Sequence, residues 1–271
     1  MLTPAQTSAY LARINHPAPL APTLTTLRTL QAAHMRAVPF ENLDVLLARP
    51  LALDVPALFD KIVTRRRGGY CFELNTLFAA LLRALGFSPV PVMARVWLRD
   101  PVDTPPRTHL LHRVHLDGTH WLTDVGFGGS ASHVPLPMPT AHPASDPDGE
   151  LRVLPDPEFG YRVSRRLSGE SAWQDQFTVE PASAPASDIL LGNHFTETHP
   201  SSHFRAGIGV GLFGTSGRTG FYSATLTRRT PAGTVREDVR GLDHTLATLA
   251  REFGLTLDLS PSERETLSNF C

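Results

Sequence analysis

The stretch that decides the fold is Arg65-Arg66-Arg67-Gly68-Gly69-Tyr70-Cys71-Phe72-Glu73-Leu74-Asn75. It holds one of two cysteines in the chain, the other being the terminal Cys271. Two glycines precede Cys71, and Phe72, Leu74, Leu77, Phe78, Leu81, Leu82 and Leu85 follow it at helical spacing. The thiol is therefore expected at the N-terminus of an apolar, buried helix, which Gly86 should end as a C-cap. The helix dipole and neighbouring cations favour a negative charge there, so the position suits a nucleophilic thiolate. The ordinary reading of such a cysteine is a small buried hydrophobe, so partners are needed to decide.

Upstream, Thr3-Pro4 reads as a cap and first helical position, opening a helix through about Ile14. A proline-rich link (Pro17, Pro19, Pro22) leads to Thr23, which caps a second helix with Leu24, Leu27, Leu30 and Ala33 on one stripe and His34 beside it. That helix should stop before Pro39, leaving Pro39–Leu43 extended or turned. Asp54 caps a third helix with Leu58 and Ile62 inward, and the Cys71 helix is the fourth.

After Ser88 the period changes from 3.6 to 2. Val90, Val92, Ala94 and Val96 alternate, and strands over about 108–116 and 119–127 flank Asp117-Gly118, a hairpin signal. Residues 130–160, rich in Pro, Ser, His and Asp, are expected to form a surface excursion. Strands resume near 160–166 and 172–179, making the middle a small antiparallel barrel or sandwich. The last third reads as a short helix near Ile189–Leu191, strands near 207–213, 220–228 and 233–239, and a helix from Asp243 to about Phe253. The fold class is thus α+β, with a helical unit at 1–86, the antiparallel barrel or sandwich at 87–187 and a mixed last third at 188–271.

Composition excludes several function classes. The 271 residues are 41 % hydrophobic with net charge −1, so the chain can fill a core and offers no basic field to nucleic acid. No run reaches about 18 apolar residues, as a membrane span would need. The N-terminus lacks the plan of a signal peptide, and two cysteines make no disulfide framework, so a cytoplasmic location is expected.

A cysteine nucleophile needs an imidazole, and the imidazole needs an acceptor to orient it. With 12 histidines, only geometry can choose. A two-residue Asp117-Gly118 turn pairs Leu116 with Thr119 and His112 with Thr123. His109 then lies diagonal to Asp124 on one sheet face, while His112 points the other way with Leu110 and Val114. His109 and Asp124 are therefore the expected partners of Cys71. His109, His112 and His115 suit no metal, because their spacing of three spreads them over both faces of a strand. Gly207, Gly209, Gly211, Gly214, Gly217 and Gly220, near Ser216 and Arg218, read either as tight turns or as a loop approaching phosphates, and match no Walker or dinucleotide fingerprint.

These residues carry a resemblance. Arg67–Asn75 resembles the nucleophile motif of the bacterial-type arylamine N-acetyltransferases, Thr108-His109-Leu110-Leu111 their histidine motif, and Asp124-Val125-Gly126-Phe127-Gly128 their aspartate motif. The separations of Cys71 from His109 and of His109 from Asp124 are similar too. His34 with Pro39–Leu43, and Asn193-His194-Phe195 with Pro200–Phe204, are similar to an upstream and a downstream signature. The resemblance implies a three-part architecture, an N-terminal helical bundle at 1–86, a central antiparallel β-barrel at 87–187 and a C-terminal α/β lid at 188–271, around a cysteine-protease-like (transglutaminase-like) core with a Cys71, His109, Asp124 triad and no metal. It implies acetyl transfer from acetyl-CoA to the nitrogen of arylamines, arylhydrazines or arylhydroxylamines, by a ping-pong route through an acetyl-cysteine. It further implies Phe40, Gly126 and Phe127 as substrate-pocket residues, and a Glu41–Arg67 salt bridge supporting the nucleophile loop, with Arg65 and Arg66 left as solvated charge. The small-molecule partners are then acetyl-CoA and an aromatic amine or hydrazine. The same triad would also serve a hydrolase or transglutaminase-like enzyme, and a binding protein without turnover is the non-enzymatic alternative.

Overall fold

A computed structural model describes residues 1–17, 21–99 and 101–271 of the chain, so Pro19 of the proline-rich link lies outside the described residues. Helix α1 (Pro4–Arg13) starts at Thr3, whose hydroxyl accepts the Gln6 N–H at 3.2 Å while the Gln6 side chain accepts the Thr3 N–H at 3.0 Å. Helix α2 (Leu24–Ala37) is capped by Thr23 and ends at Val38, before Pro39. Strand β1 (Phe40–Glu41) follows in the stretch expected to be extended or turned, then a one-turn helix α3 (Leu43–Leu46) that the sequence did not announce. Its signal is too short to read: four residues carry less than two helical periods. Helix α4 (Val55–Phe59), capped by Asp54, runs into a π-turn over Asp60–Thr64. Helix α5 (Cys71–Ala84) then opens on the cysteine, and Gly86 follows its end with φ +87°.

Phe72, Leu74, Leu77, Phe78, Leu81 and Leu82 of α5 are each 1 % exposed or less. Their burial, at about 2 kcal/mol per large side chain, makes α5 the axis of the helical part, packed with Leu27, Leu30, Leu58 and Ile62.

The barrel is one eight-stranded antiparallel sheet. Its strands are β2 (Val90–Val96), β3 (Arg107–Leu116), β4 (Thr119–Thr123), β5 (Leu136–Met138), β6 (Ala144–Asp146), β7 (Gly149–Asp156), β8 (Gly160–Leu167) and β9 (Gln174–Val179). They run in the order β5-β4-β3-β2-β9-β8-β7-β6. Beyond β5, the Thr140 N–H donates to the Val153 carbonyl of β7 at 2.9 Å, nearly closing the sheet. The β3–β4 hairpin has the expected register, with Leu116 opposite Thr119 and His112 opposite Thr123. Asp117 and Gly118 turn it with φ of +49° and +77°.

Residues 130–160 are not a surface excursion. They contain β5, β6 and β7, and Leu136, Met138, Leu151 and Val153 fill the barrel interior with Leu111, Leu122 and Phe177. The alternation is there, but Pro135, Pro137, Pro139 and Pro155 mask it.

The last third begins with helix α6 (Ala186–Thr198), longer than the three residues expected. It continues with β10 (Gly209–Phe213), β11 (Arg218–Tyr222), β12 (Thr225–Thr230) and β13 (Gly233–Asp238), helix α7 (Leu242–Phe253) and helix α8 (Pro261–Ser268). The strand expected over 220–228 is two strands, folded at Ser223-Ala224 with φ of +44° and +65°, a turn lacking the usual Gly or Asn. Helix α8 was missed although Ser260 and Glu263 form a capping box. In the second sheet, β1-β10-β11-β12-β13, a strand from the helical part pairs with the lid: Phe40 opposes Gly211 and Glu41 opposes Val210. No helix among the described residues is long and apolar enough to cross a membrane.

Candidate active site

The loop that leads into Cys71 is held by a buried ion cluster. Arg67 meets Glu41 at 2.7 Å and Asp44 at 3.0 Å, while Lys61 meets Asp44 at 2.6 Å and Glu73 at 2.7 Å. Burial would raise the Asp44 carboxyl, but Lys61 and Arg67 hold it at about 2. Arg65 instead pairs with Asp60 in solvent, and Arg66 is exposed with φ +55°. The glycines are steric necessities. A Cβ on Gly68 would lie 2.1 Å from the Pro39 carbonyl oxygen, and one on Gly69 would lie 2.8 Å from the Glu73 carboxylate. Through this gap the Glu41 N–H donates to the Gly69 carbonyl at 2.9 Å, tying β1 to the loop. The Glu73 carboxylate also accepts the Tyr70 N–H at 3.1 Å, which sets the turn that delivers Cys71 to the first position of α5.

His109 sits on the barrel-facing side of β3, and its Nε2 lies 2.7 Å from Oδ2 of Asp124. Asp124 is the residue after β4, just past the last pair of the ladder. Its other oxygen accepts Asn75 Nδ2 at 2.9 Å and the Gly126 N–H at 2.8 Å. Burial would lift this carboxyl, yet the charge of His109 and these three donors hold it low. Burial would likewise depress His109, but the Asp124 carboxylate, its hydrogen bond and the neighbouring Cys71 push the imidazole up to about 10. With Nε2 taken by Asp124, Nδ1 is the nitrogen left to Cys71. His112, across the strand, is driven down to about 3 by burial and by Arg83. It takes no part in this cluster.

Two positioning residues escaped the sequence reading. Asn75, inside the quoted stretch, also donates to the Leu110 carbonyl at 2.7 Å and accepts the Val125 N–H at 3.0 Å. Gln31, on α2, accepts the Thr123 hydroxyl at 2.8 Å and donates to the Ser132 carbonyl at 2.8 Å. A buried polar residue on an otherwise apolar helix stripe was the available signal for both.

Cys71 and His109 open into a cavity of about 600 Å³, within the range of small-molecule sites. Phe40 and Phe127 both line it. The Phe127 ring stands edge-on to His109, 4.8 Å between centroids, and Phe40 lies 6.0 Å from Phe204. Gly126 packs where a Cβ would come 2.7 Å from the Cys71 Cα. The lid closes the far wall. Asn42 donates to the carbonyls of Phe204 and Gly207 at 2.7 and 2.9 Å and accepts the Gly209 N–H at 2.7 Å. Gly209, Gly211 and Gly220 lie in paired strands, not in tight turns, and their missing side chains leave the cavity open along β10 and β11. His34 does not line this cavity and is buried in the helical core with Nδ1 2.9 Å from the Tyr10 hydroxyl. Among the described residues, no group of three or more His, Cys, Asp or Glu side chains could hold a metal ion.

A thiol at a helix start beside an imidazole–carboxylate pair on an adjoining barrel is an arrangement that suits acyl transfer through a cysteine. Residues 23–261 match the sequence model of the N-acetyltransferase family. The arylamine N-acetyltransferase / N-hydroxyarylamine O-acetyltransferase of Salmonella typhimurium is 41 % identical over 73 % of this chain and 69 % of its own length. The arylamine N-acetyltransferase of Mycolicibacterium smegmatis is 34 % identical over 92 % of this chain and 91 % of its own. The solved Salmonella typhimurium structure superposes with TM-score 0.92 at 33 % identity, covering 99 % of each chain. That of the Mycobacterium marinum enzyme in complex with CoA gives 0.91 at 32 % identity, covering 98 % of this chain and 99 % of its own. The chain belongs to the arylamine N-acetyltransferase family and is an acetyltransferase.

Proposed function

We propose that the chain moves an acetyl group from acetyl-CoA to the nitrogen of an arylamine, arylhydrazine or arylhydroxylamine in two half-reactions through an acetyl-Cys71. The observation that carries this is that His109, 2.7 Å from Asp124, lines the same cavity as Cys71.

In the first half-reaction the Cys71 thiolate attacks the thioester carbonyl carbon. The bond from that carbon to the CoA sulfur breaks, and CoA leaves with a proton from His109. Asp124 orients His109 and stabilises its cation, and backbone N–H groups in the first turn of α5 meet the oxyanion. In the second, the amine nitrogen attacks the acetyl carbon, its proton passes to His109, and the bond to the Cys71 sulfur breaks. Phe40 and Phe127 offer ring faces to the acceptor, and Gly126 keeps the approach to Cys71 clear. An aromatic amine suits this site because it is largely neutral near pH 7 and keeps its lone pair. Glu41 and Arg67 support the loop that carries the thiol.

The proposal includes a cytoplasmic location, supported by two free thiols, of which Cys71 in the cavity must stay reduced to react. It also includes three structural units with boundaries at 86/87 and 187/188. Steady-state rates measured over a grid of acetyl-CoA and 4-methylaniline concentrations test the mechanism. Parallel double-reciprocal lines are expected. Lines that intersect, as for direct transfer in a ternary complex, would contradict the two-step route.

A further inference from the structure

A second buried charge cluster lies outside the triad, where the barrel meets the lid. Asp146 and Asp148 sit at the β6–β7 hairpin, in the stretch whose composition suggested a loose excursion. Arg165 of β8 reaches Asp148 at 2.7 Å and also pairs with Asp146. Arg218 of β11 pairs with Asp148 and lies 3.6 Å from Asp146. His133 adds its backbone N–H and Nδ1 to Asp146 at 2.9 and 3.0 Å. Two carboxylates are thus shared by guanidinium groups from two different sheets.

What makes the cluster more than a staple is where the free ends of the arginines go. Arg218 donates to the carbonyl of Gly129, and Arg165 donates to that of Ala131 at 3.3 Å. Those carbonyls flank Ser130 at the end of the 3₁₀ turn Gly128–Ser130, which leaves directly from Phe127. Gly129 and Ser130 line the cavity, and Gly128 packs against the Phe40 ring. One hairpin therefore grips, through two forks, the short turn that carries one aromatic wall and backs the other. A guanidinium fork suits this task, since its N–H groups can serve a carboxylate and a carbonyl at once.

We propose that Arg218 and Arg165, anchored by Asp146 and Asp148, are positioning residues that fix the Gly128–Ser130 turn and thereby set affinity for the acceptor amine. This rests on Cys71 being the acetylated residue, and the cluster itself touches no reacting atom. Loosening the turn should weaken acceptor binding and leave the first half-reaction intact, because Asn75 and the Glu41–Arg67 cluster hold Asp124 and the Cys71 loop without bonding to the turn.

The test uses the full chain carrying Arg218→Met or Arg218→Lys, with 4-methylaniline as acceptor. Arg218→Met is expected to raise the acceptor KM about fivefold, the worth of one hydrogen bond. Single-turnover acetylation of Cys71 by acetyl-CoA alone should stay within about twofold of wild type, the spread of a neutral surface change. Arg218→Lys keeps a cation for Asp148, and so the fold, but loses the fork; it should raise KM in the same direction. A wild-type KM in the folded Lys variant, or a KM rise matched by an equal fall in Cys71 acetylation, overturns the proposal. An unacetylated Cys71 in the wild-type protein overturns the reading beneath it. Acetylation with an unmoved KM overturns the proposal alone.

Discussion

Replacing Arg67 by Met tests whether the loop that leads into Cys71 is held by charge. Its guanidinium is the main partner of the Glu41 carboxylate, whose side chain has no exposed surface. Without it, Glu41 keeps one backbone donor, the Leu43 N–H at 3.0 Å, and Asp44 keeps Lys61 and, at 3.5 Å, Arg49. Three buried carboxylates (Glu41, Asp44, Glu73) then share Lys61 and a rim arginine. Breaking one side of a buried pair costs about 3–5 kcal/mol, most of it the stranded charge. At about 2–4 °C per kcal/mol for a chain approaching this size, the melting temperature should fall by about 10 °C. Arg65→Met is the control two residues away. The side chains of Arg65 and Asp60 are 58 % and 56 % exposed, so its loss should cost at most about 1 kcal/mol. Adding Glu41→Gln to Arg67→Met should recover part of the loss by removing the stranded charge. Thermal unfolding followed by near-ultraviolet circular dichroism reads all three variants. Equal small shifts for Arg67→Met and Arg65→Met would refute the reasoning.

Other expectations follow from neighbouring geometry. Gly126→Ala puts a Cβ 2.7 Å from the Cys71 Cα and 2.8 Å from Asn75 Nδ2, so it should destabilise by about 1–3 kcal/mol and slow Cys71 alkylation by iodoacetamide. A fully reactive, fully stable Ala variant would contradict that packing. His34 and His112 are buried and neutral with pKa values lowered to about 3. Their stabilising contribution is present above the unfolded value near 6.5 and is lost as pH falls toward 3, each adding a slope of about 1.4 kcal/mol per pH unit. Urea unfolding between pH 6.5 and 4 should show His112→Gln losing one such proton from the slope; an unchanged slope counts against it. His109 has the opposite sign. Its pKa is raised to about 10, so its ion pair with Asp124 contributes below about pH 6.5 and fades as pH rises through 10. Asp124→Asn should flatten that alkaline limb, and a wild-type limb in the variant would show that another group carries it.

Much of the site was legible because its geometry is local. The Asp117-Gly118 turn determines the parity of β3 and β4, and parity alone separates His109 from His112. The Cys71 helix start follows from two glycines and a run of leucines. The rest depends on contacts distant in sequence. Asn42 clips Phe204, Gly207 and Gly209 across more than 160 residues, and no local periodicity announces such a bond. Barrel strands β5 to β7 were hidden by prolines, which edge and irregular strands tolerate. The β11–β12 turn was hidden because Ser223 and Ala224 carry the left-handed backbone without glycine. The arginine run changed meaning most. One of the three is a buried anchor, and the other two are surface charge, a distinction made by Glu41 and Asp44 and not by the run itself.

The most direct test of the central claim is the mass of the tryptic peptide containing Cys71 after incubation with acetyl-CoA alone. One acetyl group is expected on that peptide, lost when 4-methylaniline is added and absent in His109→Ala. Release of CoA and formation of acetylated amine with no adduct ever detectable on Cys71 would contradict the account.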